Sequence, residues 1–407
     1  MAANNKPSSP LRDKVLQAIK DQNGLLFALP ALVGRNIYAG RGVIAQNTDF
    51  SPSLVDARGY VPVEWWIMSK TVAKNAVPLE NEGITSILVA GEPHPLPSIL
   101  KVASEELMGP YEYAWPLTKV LDIGGPPQVP KYSCQGGEAE PEVPPIPCHV
   151  HAGEVCNGAC IGPGKTESYF FPPLDVPPYN LSLGTIKTRL GLKPGTTKEQ
   201  VLEALRAFGR HDDMYSLLNV YHINPWETWF IEEKIVHAPG PWTTFEIQRP
   251  QDDYNLLAWQ LGRVLPEKDV APNKCDHQLK GLTDEEDLFN NTINLPDNTD
   301  PEFKEKYCRK CETLAEGPWG RQIRLFYHLF YGEGFIIKPG ATFKREGDQR
   351  PYAGIVWTGE GTINGLSVGV DNKERREFLI TPKSNIEIIN TSTQLDLMIF
   401  TVFPMNL

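Results

Sequence analysis

Apolar positions along this chain fall mostly in short runs, cut at intervals by Gly, Pro and Asn. The last part shows the pattern best: "GFIIKPG", "AGIVWTGEGTINGLSV", "EFLITPKSNIEIIN" and "LDLMIFTVF" are β-branched and aromatic stretches bounded by turn formers, which predicts strands. In "SNIEIIN", Ile386 and Ile388 alternate around Glu387, as in a strand with one wet face. The pattern predicts a small β-sandwich over 333–404. It predicts a second sandwich in the middle of the chain, from strands near 119–122, 149–155, 167–171, 229–237 and 243–248. One stretch carries helical spacing instead. In "TTKEQVLEALRAF", Val201, Leu202, Leu205 and Phe208 form an apolar stripe. Thr196 or Thr197 can cap it, with Glu199 or Gln200 as the capping-box partner. "EFKEKYCRKCETL" is a second, less regular helical candidate. Residues 126–147 form a long Pro- and Gly-rich loop that leads to His149, and loops of that length inside a domain are often functional.

Composition supports this reading and narrows the partners. The 37 prolines and 34 glycines spread through 407 residues break the chain into short segments, as an all-β core with many turns requires. A net charge of -11 argues against a nucleic-acid partner and against an anionic membrane surface. No apolar run reaches the roughly 18–20 residues of a membrane helix, and the first residues lack the layout of a secretory signal. The expectation is a cytoplasmic protein with a small-molecule ligand. Seven cysteines are an odd number for a disulfide framework, and their clustering points to metal or thiol chemistry. The expected organisation is an N-terminal segment plus a metal-binding sandwich over 1–265, an insertion over 266–332, and a metal-free sandwich over 333–407.

The candidate chemistry starts at "CHVHAGE". His149 and His151, two apart on a strand, offer two imidazoles on one face. Glu154 follows. Glu167 opens the strand-like "ESYFF", and His237 closes "FIEEKIVHA". Two histidines from one strand, a carboxylate from a second and a histidine from a third is how β-sandwich metal sites of the cupin type are built. This mixed nitrogen and oxygen set suits Zn, Mn, Fe, Co or Ni, with no choice among them from residue type alone.

The string "WPLTKVLDIGGPPQVP…PCHVHAGE…GKTESYFF…LSLGTIKTRLGLKPGTTKEQVLEAL…IVHAPGPWTTFEIQ" resembles the type I mannose-6-phosphate isomerases of the cupin superfamily. "PVEWWIMS" upstream is similar to that family's "GESWELS", and "GEGTINGLSV" to a strand of its closing cupin. The resemblance runs in order over most of the chain. It implies a mostly β fold of two cupin-type β-sandwich (jelly-roll) domains with a small helical or irregular insertion. It implies aldose–ketose isomerisation of mannose 6-phosphate or a related sugar on one divalent metal, zinc first. The ligands carried over are His149, His151, Glu167 and His237. Lys119 and Lys165 match pocket lysines, and Glu246 matches an acidic pocket residue; these three are the catalytic candidates. Trp242 is a candidate for stacking on the sugar.

The sequence departs from the family at three places. Where the family has Gln-x-His, this chain has His149-x-His151, which makes the three-His, one-Glu set also used by cupin dioxygenases. The family's phosphate-binding arginine after "EIQ" falls here on Asn255 or Leu256; Arg249 and Arg263 are the cations that could substitute, since phosphate favours a fork-shaped cation. The 126–147 loop is inserted before the metal strand. A neutral sugar is therefore a candidate substrate alongside a phosphorylated one. The rival readings are a cupin dioxygenase and a non-catalytic sugar-binding protein.

Cys275, His277, Cys308 and Cys311 pair a Cys-x-His with a Cys-x-x-Cys, four ligands for a candidate structural zinc. It would staple the polar stretch between them. His328, among aromatics in "LFYHLFYG", is expected in the core.

Overall fold

The structure, a computed structural model, describes residues 9–36, 44, 56–75, 77–122, 145–156, 159–161, 164–173, 186–207, 213–240, 242–253, 255–258 and 285–406. Cys275, His277, Arg263, Phe208 and the 126–144 part of the long loop lie outside the described residues. The chain is mostly β, in antiparallel sheets. It divides into two compact units, each assembled from separate segments. One comprises Met1–Val33, Trp65–Lys119 and Cys311–Leu407; the other comprises Gly34–Glu64 and Val120–Lys310. Among the described residues, no helix is long and apolar enough to cross a membrane.

The unit that contains the C-terminus is a sandwich of a nine-stranded and a four-stranded sheet. The nine strands run in the order Glu312–Gly317, Gly320–Arg324, Gly332–Ile337, Leu397–Val402, Tyr352–Thr358, Glu377–Ile380, Leu25–Leu29, Ser86–Val89 and Glu92–Pro95. The four run Thr342–Arg345, Ile386–Asn390, Glu360–Ile363 and Leu366–Gly369. Phe335, Ile337, Val356 and Ile399 of the first sheet meet Phe343, Ile363, Ile386 and Ile388 of the second in one core. Each such side chain contributes about 1.5–3 kcal/mol when fully buried. Ile386 and Ile388 are buried and Glu387 is not, the alternation read from the sequence. The strand Leu25–Leu29 enters this sheet from the far end of the chain, pairing Leu25 with Ile380.

The second unit holds the candidate site. Its five-stranded sheet runs Leu218–His222, Lys187–Leu192, His237–Ala238, His149–Val150 and Asn255–Leu256. Facing it are the consecutive strands Cys308–Lys310, Glu227–Ile231, Glu167–Phe171 and Thr244–Gln248. Tyr169, Phe171, Trp229 and Ile231 from one side pack on Ile186, Leu190 and Ile223 from the other. The helix Lys198–Arg206 opens as the sequence suggests: Thr197 caps it, and Gln200 completes the capping box. Its buried Val201, Leu202 and Leu205 share a second core with Cys148, Val150, Val236 and Ala238. Strand alternation explains the division: Cys148, Val150, Val236 and Ala238 face the helices, so His149 and His237 between them face into the sandwich.

Three local expectations change. The stretch 229–237 is not one strand. It breaks after Ile231, turns with Lys234 at φ 64, and resumes at His237–Ala238 in the other sheet. The break lets Trp229 stay in one sheet while His237 joins the opposite one. The helix expected over 302–314 is only Phe303–Tyr307, after which the chain becomes strand. Phe303 and Tyr307 anchor in the core, and Cys308 pairs with Trp229, so ladder hydrogen bonds replace further helical ones. His328 is exposed, with φ 60, and is not a core residue.

Candidate metal centre

The site is built where the two sheets of the second unit face each other. His237 and His149 are register partners on adjacent strands, so their side chains share one face. His151 lies just beyond the short His149–Val150 strand. Glu167 opens the strand on the facing side, between Ile231 and Gln248. The alternation that turns Glu167 inward does the same for Tyr169 and for their partners Gln248 and Glu246. One ligand atom from each of His149, His151, Glu167 and His237 falls within 4.8 Å of all the others. All four residues are buried, Glu167 and His237 at 0% exposure.

Hydrogen bonding fixes the imidazoles. The Nδ1 atoms of His149, His151 and His237 each lie 2.7 Å from a backbone carbonyl, of Pro147, Asp253 and Ile235 respectively. A carbonyl only accepts, so each Nδ1 carries the proton and each Nε2 presents a lone pair. Burial, then the neighbouring His237 and His151, lowers the pKa of His149 well below the usual histidine value. Burial, then Lys165, lowers that of His151 to about 3. Burial works to raise Glu167, but Lys165 and His151 outweigh it and hold the carboxylate ionised.

The outcome is a set of acceptors aimed at one another. His151 Nε2 is 3.2 Å from Glu167 Oε2, and His237 Nε2 is 3.0 Å from Glu167 Oε1. His151 Nε2 and His237 Nε2 are buried and make no hydrogen bond. Buried lone pairs in contact are unfavourable unless a cation lies between them. Three imidazoles and one carboxylate, with the outer ring nitrogens fixed by carbonyls, is the donor set of a divalent metal. The residues fit the ion.

Around the ligands, Lys165 Nζ is 2.7 Å from Glu167 Oε2, 2.9 Å from Gln248 Oε1 and 3.9 Å from Glu246 Oε1. The Tyr169 hydroxyl donates to the other Glu167 oxygen. Lys165 and Glu246 are thus brought to the ligands. Lys119 belongs to the other unit, where it is buried with its Nζ 4.9 Å from the Trp66 ring centre. Trp242 is in the core, its indole N–H bonded to the Pro172 carbonyl at 2.8 Å. Arg249 follows Gln248, half-buried; its Nε is buried and makes no hydrogen bond. Asn255 accepts from the Ala152 N–H at 3.0 Å beside the histidine strand. Cys308 and Cys311 are both half-buried, and burial followed by Glu227 pushes Cys308 up to about 12. Sequence reasoning missed Tyr169 and Gln248, although both stand at the two-residue spacing of Glu167 and Glu246.

No family model and no curated protein matches the chain. Solved structures do. A protein from Archaeoglobus fulgidus described as a mannosephosphate isomerase superposes with a TM-score of 0.59 at 15% identity, over 94% of this chain and 98% of its own. The mannose 6-phosphate isomerase from Bacillus subtilis gives 0.59 at 14% identity, over 93% and 99%. At this identity the likeness is one of fold, and it extends over nearly the whole of both chains.

Proposed function

We propose that this chain is a metal-dependent aldose–ketose isomerase acting on mannose 6-phosphate or a related sugar, phosphorylated or not. The observation that carries the reading is the buried His149, His151, Glu167 and His237 cluster with Lys165 against its carboxylate. The fold shared with the mannose 6-phosphate isomerase from Bacillus subtilis supports it. The ligands would hold one divalent ion, zinc first among Zn, Mn, Fe, Co and Ni, which supplies polarisation of the sugar's carbonyl and adjacent hydroxyl oxygens. The reaction takes a proton from C2 of the aldose and delivers one to C1. Lys165 is the side chain assigned to proton transfer, since its Nζ is buried at the ligands. Glu246 balances its charge at 3.9 Å. Arg249 and Arg263 are assigned to a phosphate, and Trp242 to packing behind the sugar. Cys275, His277, Cys308 and Cys311 are assigned to a second, structural zinc.

Proton NMR of a sugar panel in deuterated water with metal-loaded protein tests the reading. Conversion of mannose 6-phosphate to fructose 6-phosphate with deuterium entering at the exchanging carbon supports the phosphorylated substrate. Reaction of unphosphorylated aldoses alone supports the neutral one. No exchange with any sugar overturns isomerisation. Because three histidines and one glutamate also serve cupin dioxygenases, oxygen uptake is recorded on the same samples. Tight sugar binding without exchange would indicate the non-catalytic alternative.

A further inference from the structure

We infer that Arg35 is a positioning residue for the metal centre, acting through Asp252 on His151; this rests on the reading of the cluster as a metal site. Arg35, Glu64 and Asp252 are 8%, 6% and 4% exposed. The guanidinium lies between the two carboxylates. Its Nε donates to Glu64 Oε1 at 2.6 Å and its Nη2 to Glu64 Oε2 at 3.3 Å. The same Nη2 reaches both Asp252 oxygens at 3.0 Å. Breaking one partner from such a buried trio leaves an uncompensated charge, so the chain at Asp252 is held in place.

The next residue connects this clamp to the ligands. The Asp253 carbonyl accepts from His151 Nδ1 at 2.7 Å, which fixes the tautomer and points Nε2 at Glu167, 3.2 Å away. Two residues further, Asn255 and Leu256 pair with Val150 and His149. One anchored segment therefore supports both histidines of the His-x-His pair. The influence of Arg35 passes through the Asp252–Asp253 backbone. Outer-sphere partners of metal-bound histidines typically change affinity 10- to 100-fold. A lysine cannot reproduce the effect, because a point charge lacks the fork that spans two carboxylates.

The test is cobalt(II) titration of the full chain, followed by visible absorption and by competition with a chelator, with thermal melting of the metal-free forms alongside. The set is wild type, Arg35→Lys, Arg35→Gln, Asp252→Asn, the Arg35→Gln/Asp252→Asn double variant, and His151→Ala as reference. The expected result is a 10- to 100-fold loss of cobalt affinity with a changed visible spectrum in each clamp variant. The double variant should be no worse than the poorer single one, since the two residues act as one unit. Arg35→Lys and Asp252→Asn are conservative enough to serve if Arg35→Gln fails to fold. Wild-type cobalt affinity and spectrum in those two would overturn the inference, whatever their melting temperatures. If wild-type protein binds no cobalt, or binds it unaffected by His151→Ala, the metal reading itself fails, which is a separate outcome.

Discussion

His149 and His237 face each other across two adjacent antiparallel strands, with ring centres 4.1 Å apart and both residues buried. At that distance, out of water, the two rings cannot both carry charge. The backbone carbonyls behind them accept from each Nδ1 and so orient both rings with Nε2 toward the cluster. A divalent ion should therefore stabilise the folded state by mass action, by about 2.7 kcal/mol at a hundredfold excess over Kd. Thermal melting with and without metal should show the rise in wild type. It should be absent in His149→Ala and in His237→Ala. An equal rise in those variants would place the ion elsewhere.

Gly164 packs against the backbone of His151. A Cβ there would come within 2.5 Å of both the His151 carbonyl oxygen and the Glu233 side chain. That carbonyl already accepts from the Lys234 N–H at 3.1 Å, so it has little room to move. Gly164→Ala should displace His151 and lower metal affinity by roughly 10-fold or more, in the range of other changes around metal-bound histidines. Calorimetric titration of metal into the variant checks this; unaltered affinity would show that the backbone shifts without disturbing the ligand.

Glu377 gives the other unit a pH dependence of its own. It is fully buried, accepts from Trp65 Nε1 at 2.6 Å and from the Met68 N–H at 2.7 Å, and burial raises its pKa to about 8. The folded state then holds a proton that the unfolded state releases above the ordinary carboxylate value of about 4.3. Its contribution is fully present below that value and is lost as pH rises through about 8. Glu377→Gln should remove this slope from denaturant-derived stability between pH 5 and 8. It should also lower stability by about 1–3 kcal/mol, because an amide cannot accept both hydrogen bonds. A slope that survives the substitution would assign it to other groups.

The capping box of the helix Lys198–Arg206 is a local contribution that can be isolated. Thr197 accepts from the Gln200 N–H, and the Gln200 side chain accepts from the Thr197 N–H at 2.8 Å. Thr197→Ala should cost about 1 kcal/mol in chemical denaturation and leave metal affinity unchanged. A loss of metal affinity would mean that the helix, packed behind Cys148 and Val150, also positions the histidine strand.

These residues show what could be read in advance. His149 and His151 were legible as a pair because two distinctive residues stand at the two-residue strand period, and the resemblance joined Glu167 and His237 to them. The helix was legible because its cap and apolar stripe are local. The helix Pro10–Asp21 carries a comparable local signal, with Ser9 as cap and Pro10 in the first turn. The Asp253 carbonyl could not be seen, since a backbone acceptor has no residue type. Nor could the Arg35–Asp252 contact, whose partners are 217 positions apart. The pairing of Leu25–Leu29 with Glu377–Ile380 is another choice made by tertiary packing. The break between Trp229 and His237 was hidden because an apolar stretch does not reveal which sheet each half joins.

X-ray absorption at the metal edge reads the atoms around the bound ion. The sample is protein carrying Cys308→Ser and Cys311→Ser, loaded with one equivalent of zinc, so that a thiolate site at that pair cannot compete. The account predicts a first shell of nitrogen and oxygen near about 2.0–2.1 Å with imidazole scattering behind it, and loss of that pattern in His237→Ala. A sulfur shell near about 2.3 Å, or a spectrum unchanged by His237→Ala, would contradict it.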